Sequence, residues 1–189
     1  MKKRELIKKV CLVGDSGVGK KTIAGMVAPF EKGVERYTQT IGTAVTKYGL
    51  EFAFPNQTIR LIIMVWDVTG RQEYRRLQRS YCMGAEGVIV VGDASEPSTI
   101  ESIQKWIDDV RSNSGTIPAV VIINRSGPLS EPDRVRLQQK MKDMLAPYDA
   151  PFFLVDATRS SMAALKAPFY ELAKRIAKNA AARPPPSLR

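Results

Sequence analysis

Apolar and polar residues fall into blocks along this 189-residue chain, and the period of each block names an element. Leu6 to Val13 ends in the apolar run Val10-Cys11-Leu12-Val13 and reads as a buried strand. A helix is expected over residues 20–29, closing near Pro29, followed by a polar, irregular connection from Glu31 to Ile41. Thr43 to Phe54 and Thr58 to Asp67 are strand-like and joined at Pro55-Asn56-Gln57, the pattern of a hairpin. The second is almost wholly apolar over Leu61–Trp66, as in a strand covered on both faces. Val68 to Met83 is arginine-rich and reads as a loop with an irregular helix. Strands then recur at Gly87–Val91, Ala119–Ile123 and Phe152–Val155. Between and after them, helical stripes run through Ile100, Ile103, Ile107 and Val110, through Leu137, Met141, Met144 and Leu145 after Pro132, and through Leu165, Phe169, Leu172, Ala173 and Ile176. Strand and helix alternating in this way give a mainly parallel sheet with helices on both faces.

Between the first strand and the first helix lies Gly14-Asp15-Ser16-Gly17-Val18-Gly19-Lys20-Lys21-Thr22. A G-x-x-x-x-G-K stretch in that context is a phosphate-binding loop: glycines let the backbone wrap a phosphate, its N–H groups point inward, and the helix N-terminus adds partial positive charge. Lys20 then serves the β- and γ-phosphates. Lys21 breaks the pattern, because the residue after that lysine is ordinarily a Ser or Thr that holds Mg²⁺.

Composition narrows the field. One domain is expected over 1–179, with a Pro-rich, basic and disordered tail over 180–189. No apolar run is long enough to span a membrane, and the basic start does not lead into a signal peptide. Cys11, and Cys82 far from it in sequence, form neither a disulfide framework nor a zinc pattern, so a reducing cytoplasm fits. With no histidine, His-based catalysis and His-ligated metal are excluded. The net charge of +10 gathers at Lys2–Lys9, Arg71–Arg79 and Lys174–Arg189. It suits an anionic partner, whether nucleic acid, an acidic membrane surface or an acidic protein face, but no nucleic-acid motif accompanies it and no lipid-anchor signal is expected.

The order and spacing of these blocks resemble the Ras superfamily of small GTPases, its Rab branch in particular, over about residues 6 to 178. The phosphate loop, with Asp15, Ser16, Gly17, Val18, Gly19, Lys20, Lys21 and Thr22, is the first of five motifs. Thr40-Ile41-Gly42 matches the switch I threonine that answers to Mg²⁺ and the γ-phosphate, with Tyr37 where a tyrosine closes over the phosphates. Asp67-Val68-Thr69-Gly70, after Trp66, matches Asp-x-x-Gly, so the resemblance places Thr40 and Asp67 at the metal and Gly70 at the phosphates. Asn124-Arg125-Ser126-Gly127 stands for Asn-Lys-x-Asp, and Thr158-Arg159-Ser160 for Ser-Ala-Lys, which puts Asn124, Arg125, Thr158 and Arg159 around the base.

The chain departs from that pattern at three points. Arg71 stands where the family has the glutamine that orients the attacking water, with Gln72 one place later; a guanidinium only donates, so hydrolysis is expected to be slow. Gly127 replaces the carboxylate that reads guanine, and Gly33 replaces the aromatic beside the base, with Phe30 three positions early. Lys21 makes Mg²⁺ doubtful: its ammonium replaces the metal as counter-charge, swings to solvent and weakens metal binding, or pairs with Asp67 and closes the pocket.

The expected fold is therefore a Ras-like P-loop G domain: a six-stranded sheet, five strands parallel and one antiparallel at the edge, with about five helices. The resemblance implies a GTP/GDP-binding switch with slow or absent hydrolysis, meeting effector or regulator proteins through switch I (Glu31–Thr43) and switch II (Val68–Cys82). The alternatives are a pseudo-GTPase interaction module without turnover and a P-loop NTPase with relaxed base choice.

Overall fold

The structure is a computed structural model that describes residues 2–27, 36–40, 43–125 and 127–182. Its strands are β1 (Lys2–Val13), β2 (Arg36–Thr40), β3 (Thr43–Phe54), β4 (Gln57–Val68), β5 (Gly87–Asp93), β6 (Ala119–Asn124) and β7 (Phe152–Val155). Its helices are α1 (Lys20–Val27), α2 (Arg75–Cys82), α3 (Pro97–Glu101), α4 (Ile103–Ser114), α5 (Glu131–Leu145) and α6 (Met162–Ala182), with single 3₁₀ turns at Gln72–Tyr74 and Ala146–Tyr148. Since α3 and α4 meet at Ser102 as one helical run, the expectation of about five helices holds.

One sheet carries the strands in the order β2-β3-β4-β1-β5-β6-β7. Strands β4, β1, β5, β6 and β7 are parallel, and β3 runs antiparallel to β4, which is the expected six-stranded arrangement. A seventh strand lies outside it. Arg36–Thr40, expected to be irregular, pairs antiparallel with β3. Its Arg-Tyr-Thr-Gln-Thr sequence has no apolar alternation to announce a strand; the open edge of β3 supplies the hydrogen-bond partners. The rest of the Glu31–Ile41 connection, with Phe30 and Gly33, lies outside the described residues.

Element ends shift where tertiary pairing outruns the apolar signal. β1 begins at Lys2 because Lys2–Glu5 pair with Gln57–Arg60 of the hairpin, although all four residues are charged. α5 begins at Glu131, before Pro132: Ser130 caps it by accepting from the Asp133 N–H at 3.2 Å, and the first turn tolerates a proline because the N–H that proline lacks would be an orphan there anyway. α6 runs through Ala182, taking three residues from the expected tail. Arg4 Nη1 and Gln57 Nε2 donate to the Ala180 and Ala181 carbonyls at 3.3 Å each and hold this end against β1 and β4. Residues 183–189 lie outside the described residues.

The sheet is buried on both faces. Val10 and Leu12 of β1 point to one side, into a core with Ile89, Ile122, Leu165, Phe169 and Leu172 under α1 and α6. Cys11 and Val13 point to the other, with Val88, Val121, Ile103, Ile107 and Met141 under α2 to α5. Full coverage on both faces is why these strands read as unbroken apolar runs. Cys82, distant in sequence, comes back here: α2 lays it in the same core as Cys11, whose Sγ donates to the Tyr81 carbonyl at 3.7 Å, and the neighbouring Cys82 together with burial holds the Cys11 thiol well above its ordinary pKa. Both remain free thiols.

β1 lies at the centre, with β4 on one side and β5 on the other, so the chain order reverses across it. In open α/β sheets that reversal leaves a crevice beyond the carboxyl ends of the strands. The phosphate loop follows β1 at that end.

Two glycines in this frame predict opposite signs. Gly49 sits in β3 with nothing within 4 Å of a built Cβ, so Gly49→Ala should stabilise by about 0.4–1 kcal/mol by restricting the unfolded chain. Gly14 has φ +141°, and a Cβ there would stand 2.1 Å from the Val91 carbonyl oxygen, so Gly14→Ala should cost more than about 1 kcal/mol. Urea midpoints at unchanged m-value check both; a midpoint for Gly14→Ala at or above the wild type would show that the β1–β5 approach yields.

Candidate functional site

The loop after β1 is fastened by backbone approach. Gly14 lies against the Val91 carbonyl of β5, and Gly70 lies so close on its other side that a Cβ on Gly70 would be 2.3 Å from the Gly14 oxygen. Three backbones thus meet with no room for side chains. Lys20, first residue of α1, is only 7% exposed. Its Nζ donates to the carbonyls of Gly14 at 2.8 Å and Asp15 at 2.7 Å, so the ammonium holds the loop in a ring around itself. Burial lowers its pKa to about 8, against the pull of Asp67 and Asp15.

The Asp15 side chain turns away from the crevice. Its carboxylate accepts from Trp106 Nε1 at 2.9 Å and from the Ser102 hydroxyl, tying the loop to the α3–α4 run. Asp15 therefore serves the cleft through its backbone. Ser16, Gly17, Gly19, Lys20, Lys21 and Thr22 line one wall of a cleft of about 470 Å³, and Thr43, Ala44, Asp67, Thr69, Gly70, Arg71 and Tyr74 line the other. Val18 is buried in the core behind the loop.

Asp67 closes the floor at the end of β4, 9% exposed. Burial raises its pKa, while Lys20 and then Lys21 oppose that shift. Lys21 is exposed and, among the described residues, forms no ion pair with Asp67. An ion pair that closes the pocket, one of the three outcomes open to Lys21, is therefore not formed. Thr43 is buried, and its Oγ1 has no hydrogen-bond partner among the described residues.

Arg71 lines the cleft but its guanidinium pairs with Glu73 at 3.5 Å. Gln78 of α2 holds this stretch, donating from Nε2 to the carbonyls of Thr69 at 2.9 Å and Arg71 at 2.8 Å. Nothing in the sequence marks that staple, since Gln78 is one polar residue in an arginine-rich segment. Gln72 opens the 3₁₀ turn, and Tyr37 and Thr40 lie in β2; the side chains of all three fall outside the described residues.

On the opposite side Asn124 ties three segments. Its Nδ2 donates to the Val18 carbonyl at 3.1 Å, and its Oδ1 accepts from the Ala157 N–H at 3.1 Å. The motif announces Asn124; Ala157 acts through its backbone and carries no sequence signal. Arg125 donates from Nη1 to the Gly127 carbonyl at 3.3 Å, and Gly127 has φ +101°. Asp156 organises the next loop, accepting at Oδ1 from Thr158 Oγ1 at 2.7 Å, Thr158 N at 2.9 Å and Arg159 N at 3.1 Å. The Thr158 bonds above all hold its carboxyl below the usual range. Arg159's N–H, which the resemblance places on a base, is thus spent inside its own loop. Ser126 lies outside the described residues.

The result is a polar cleft with three cationic residues, Lys20, Lys21 and Arg71, facing one carboxylate, Asp67, beneath the backbone ring of the phosphate loop. Such a balance suits a polyanion.

Comparison with known proteins agrees with this geometry. Residues 9–127 match the family described as Roc, Ras of Complex, the Roc domain of DAPkinase. The chain is 31% identical to Ras-related protein RABA5d of Arabidopsis thaliana over 63% of its own length and 52% of that protein. It is 30% identical to Ras-related protein Rab-11A of Dictyostelium discoideum over 62% of its length and 53% of that protein. With Ras-related protein SEC4 of Candida albicans it shares 24% identity over 91% of the chain and 78% of the relative. Over the first two of these matches the chain spans about half the length of the relative. With more than half of the chain matching the Roc description, and the phosphate loop, Asp67-x-x-Gly70 and Asn124 gathered at one end of the sheet, this protein belongs to the Ras superfamily of small GTPases, as a Rab-like member that departs from it at residues 21, 71 and 127.

Proposed function

We propose that this protein binds GTP or GDP chiefly through the phosphates, hydrolyses GTP slowly if at all, and works in the cytoplasm as a switch read by protein partners at residues 31–43 and 68–82. The observation that carries this reading is the Lys20 ring beside a cleft rich in cationic donors, joined to a base side that is closed on itself. The phosphate cradle is built, while the groups that read a base are missing or already bonded.

Hydrolysis needs an acceptor that orients water for in-line attack. Arg71 offers only donors and leans on Glu73. Arg71 could still offset phosphate charge. For a divalent metal carried in with the phosphates, Asp67 is a fitting ligand: a buried carboxylate with no ion-pair partner among the described residues. Lys21 is not, since an ammonium cannot ligate. Mg²⁺ would neutralise phosphate charge when bound; here Lys20 and Lys21 supply much of that neutralisation themselves. A pseudo-GTPase reading stays alongside, favoured by one observation: Gly127, Asp156 and Arg159 form a loop satisfied without a base. The third reading, a P-loop NTPase with relaxed base choice, draws on the same loss. The basic termini would add at most a weak contact with an anionic membrane surface, because Lys8 is paired with Glu86 and Lys9 is bonded to the Met83 carbonyl and stacked over Trp66.

Single-turnover GTP hydrolysis should run at or below the order of 10⁻⁴ to 10⁻³ s⁻¹, and Arg71→Gln should raise it. Fast turnover by the wild type would transfer the water-orienting role to another residue, Gln72 first.

Chelation of Mg²⁺ should release little bound nucleotide from the wild type, whereas Lys21→Ser should make retention metal-dependent. Equal loss from both proteins on adding chelator would remove the counter-charge role from Lys21.

Titration with labelled GDP, GTP, ADP and ATP should give modest affinities lying within about tenfold of one another, since a missing charged hydrogen bond is worth about one to two decades. Gly127→Asp should lower stability by about 1 kcal/mol or more without creating guanine preference, because φ +101° strains any side chain. Guanine-selective tight binding by the wild type would overturn the relaxed base choice, and no binding of any of the four would leave the pseudo-GTPase.

A further inference from the structure

Thr43 opens β3 and sits opposite Thr40 of β2 on one side and Val68 of β4 on the other, one step from the Ala44–Asp67 pair. It lines the phosphate cleft yet is only 7% exposed, and its Oγ1 is the buried side-chain polar atom without a partner among the described residues. Buried hydroxyls in folded proteins are almost always bonded, and one left unbonded works against the fold. Valine has the same shape and would fill this place with nothing to satisfy. Among the described residues, therefore, nothing uses the hydroxyl.

The cleft supplies the direction in which that bond would be made. Asn124 lies at its base side, against Val18 and close to Gly19. The sheet order then leads from β6, which Asn124 ends, past β1, whose loop is followed by Lys20, to Asp67 near the end of β4 and Thr43 at the start of β3. A phosphate chain entering from the base side would reach Lys20 before Thr43, so the group near Thr43 is the most distal one. Asp67, which lines the same cleft one position along β4 from Val68, the partner of Thr43, offers only acceptors as a carboxylate, and Arg71 is engaged with Glu73. A hydroxyl donor at this spot complements an anionic oxygen.

We propose that Thr43 donates a hydrogen bond to the distal phosphate of the bound nucleotide, so that the register of β2, β3 and β4 is coupled to whether a third phosphate is present. This rests on the phosphate-binding reading above and adds to it a residue that distinguishes triphosphate from diphosphate. Switch I would then sense the ligand at the rooted end of β3 as well as at Thr40.

The test compares wild type, Thr43→Val and Thr43→Ser, with thermal unfolding of each protein free of nucleotide and titration with labelled GDP and a non-hydrolysable GTP analogue. Thr43→Val should be at least as stable as the wild type without ligand, should lose about tenfold in affinity for the analogue, and should change by less than about twofold for GDP. Thr43→Ser should keep most of the analogue affinity. Unchanged analogue binding by Thr43→Val, equal loss for GDP and analogue, or a drop in ligand-free stability would each overturn the proposal. Wild-type binding of both nucleotides with no effect at Thr43 would remove this inference alone. Failure of the wild type to bind either would remove the phosphate-binding reading together with it.

Discussion

Everything at this end of the molecule depends on a buried ammonium. Lys20 is almost completely withdrawn from water, and an uncompensated charge there would be costly or would deprotonate. The chain meets the demand by curling Gly14 and Asp15 so that both carbonyls face Nζ. That curl requires Gly14 to press against the Val91 carbonyl and Gly70 to press against Gly14, which in turn fixes where β1, β5 and the end of β4 must stop. The Asp15 carboxylate, turned outward by the same curl, fastens the loop to Ser102 and Trp106. Asn124 fastens the opposite flank to Val18 and Ala157. The loop around this cation is thus tied, through Val18 and Asn124, to a residue 106 positions along the chain.

The electrostatics of the cleft follow from what Lys20 leaves unspent. An ammonium has three donors and two are committed to the loop. Its lowered pKa means that an incoming phosphate would stabilise the protonated form, so anion binding and lysine protonation are linked. Asp67 lies under the opposite pressure: burial favours its neutral form and the two lysines favour the carboxylate. Neither group is matched to a dedicated partner of opposite sign among the described residues, which leaves the cleft strongly responsive to whatever charge enters it.

Family membership and site chemistry point in different directions here, and the difference is informative. The loop of residues 14–20 closes around Lys20 as the phosphate-binding proposal requires. On the base side the loops at residues 125–127 and 156–160 satisfy their own polar groups through Arg125, Asp156 and Thr158. A glycine at residue 127 therefore does more than omit a contact. Its left-handed backbone takes a course that an aspartate would resist.

Local periodicity and short-range motifs carry their information within a few residues, so the strand-and-helix order, the phosphate loop and most residues around it are legible in the chain alone. So are the departures at residues 21, 71 and 127. How side chains spend their hydrogen bonds is not. Asp15 cannot be told apart from a phosphate ligand, nor Arg159's N–H from a base contact, nor Gln78 from any surface glutamine, until the partners from the α3–α4 run, the residue 156 loop and residues 69–71 are in place. The seventh strand and the charged start of β1 are invisible for a related reason: their stability comes from the edge they pair with. Cys82 meets Cys11, and Thr43 comes to rest in the cleft with its hydroxyl unspent, because α2 and β3 pack where they do. Pairing and burial belong to distant segments brought together, and they come into being when the chain folds.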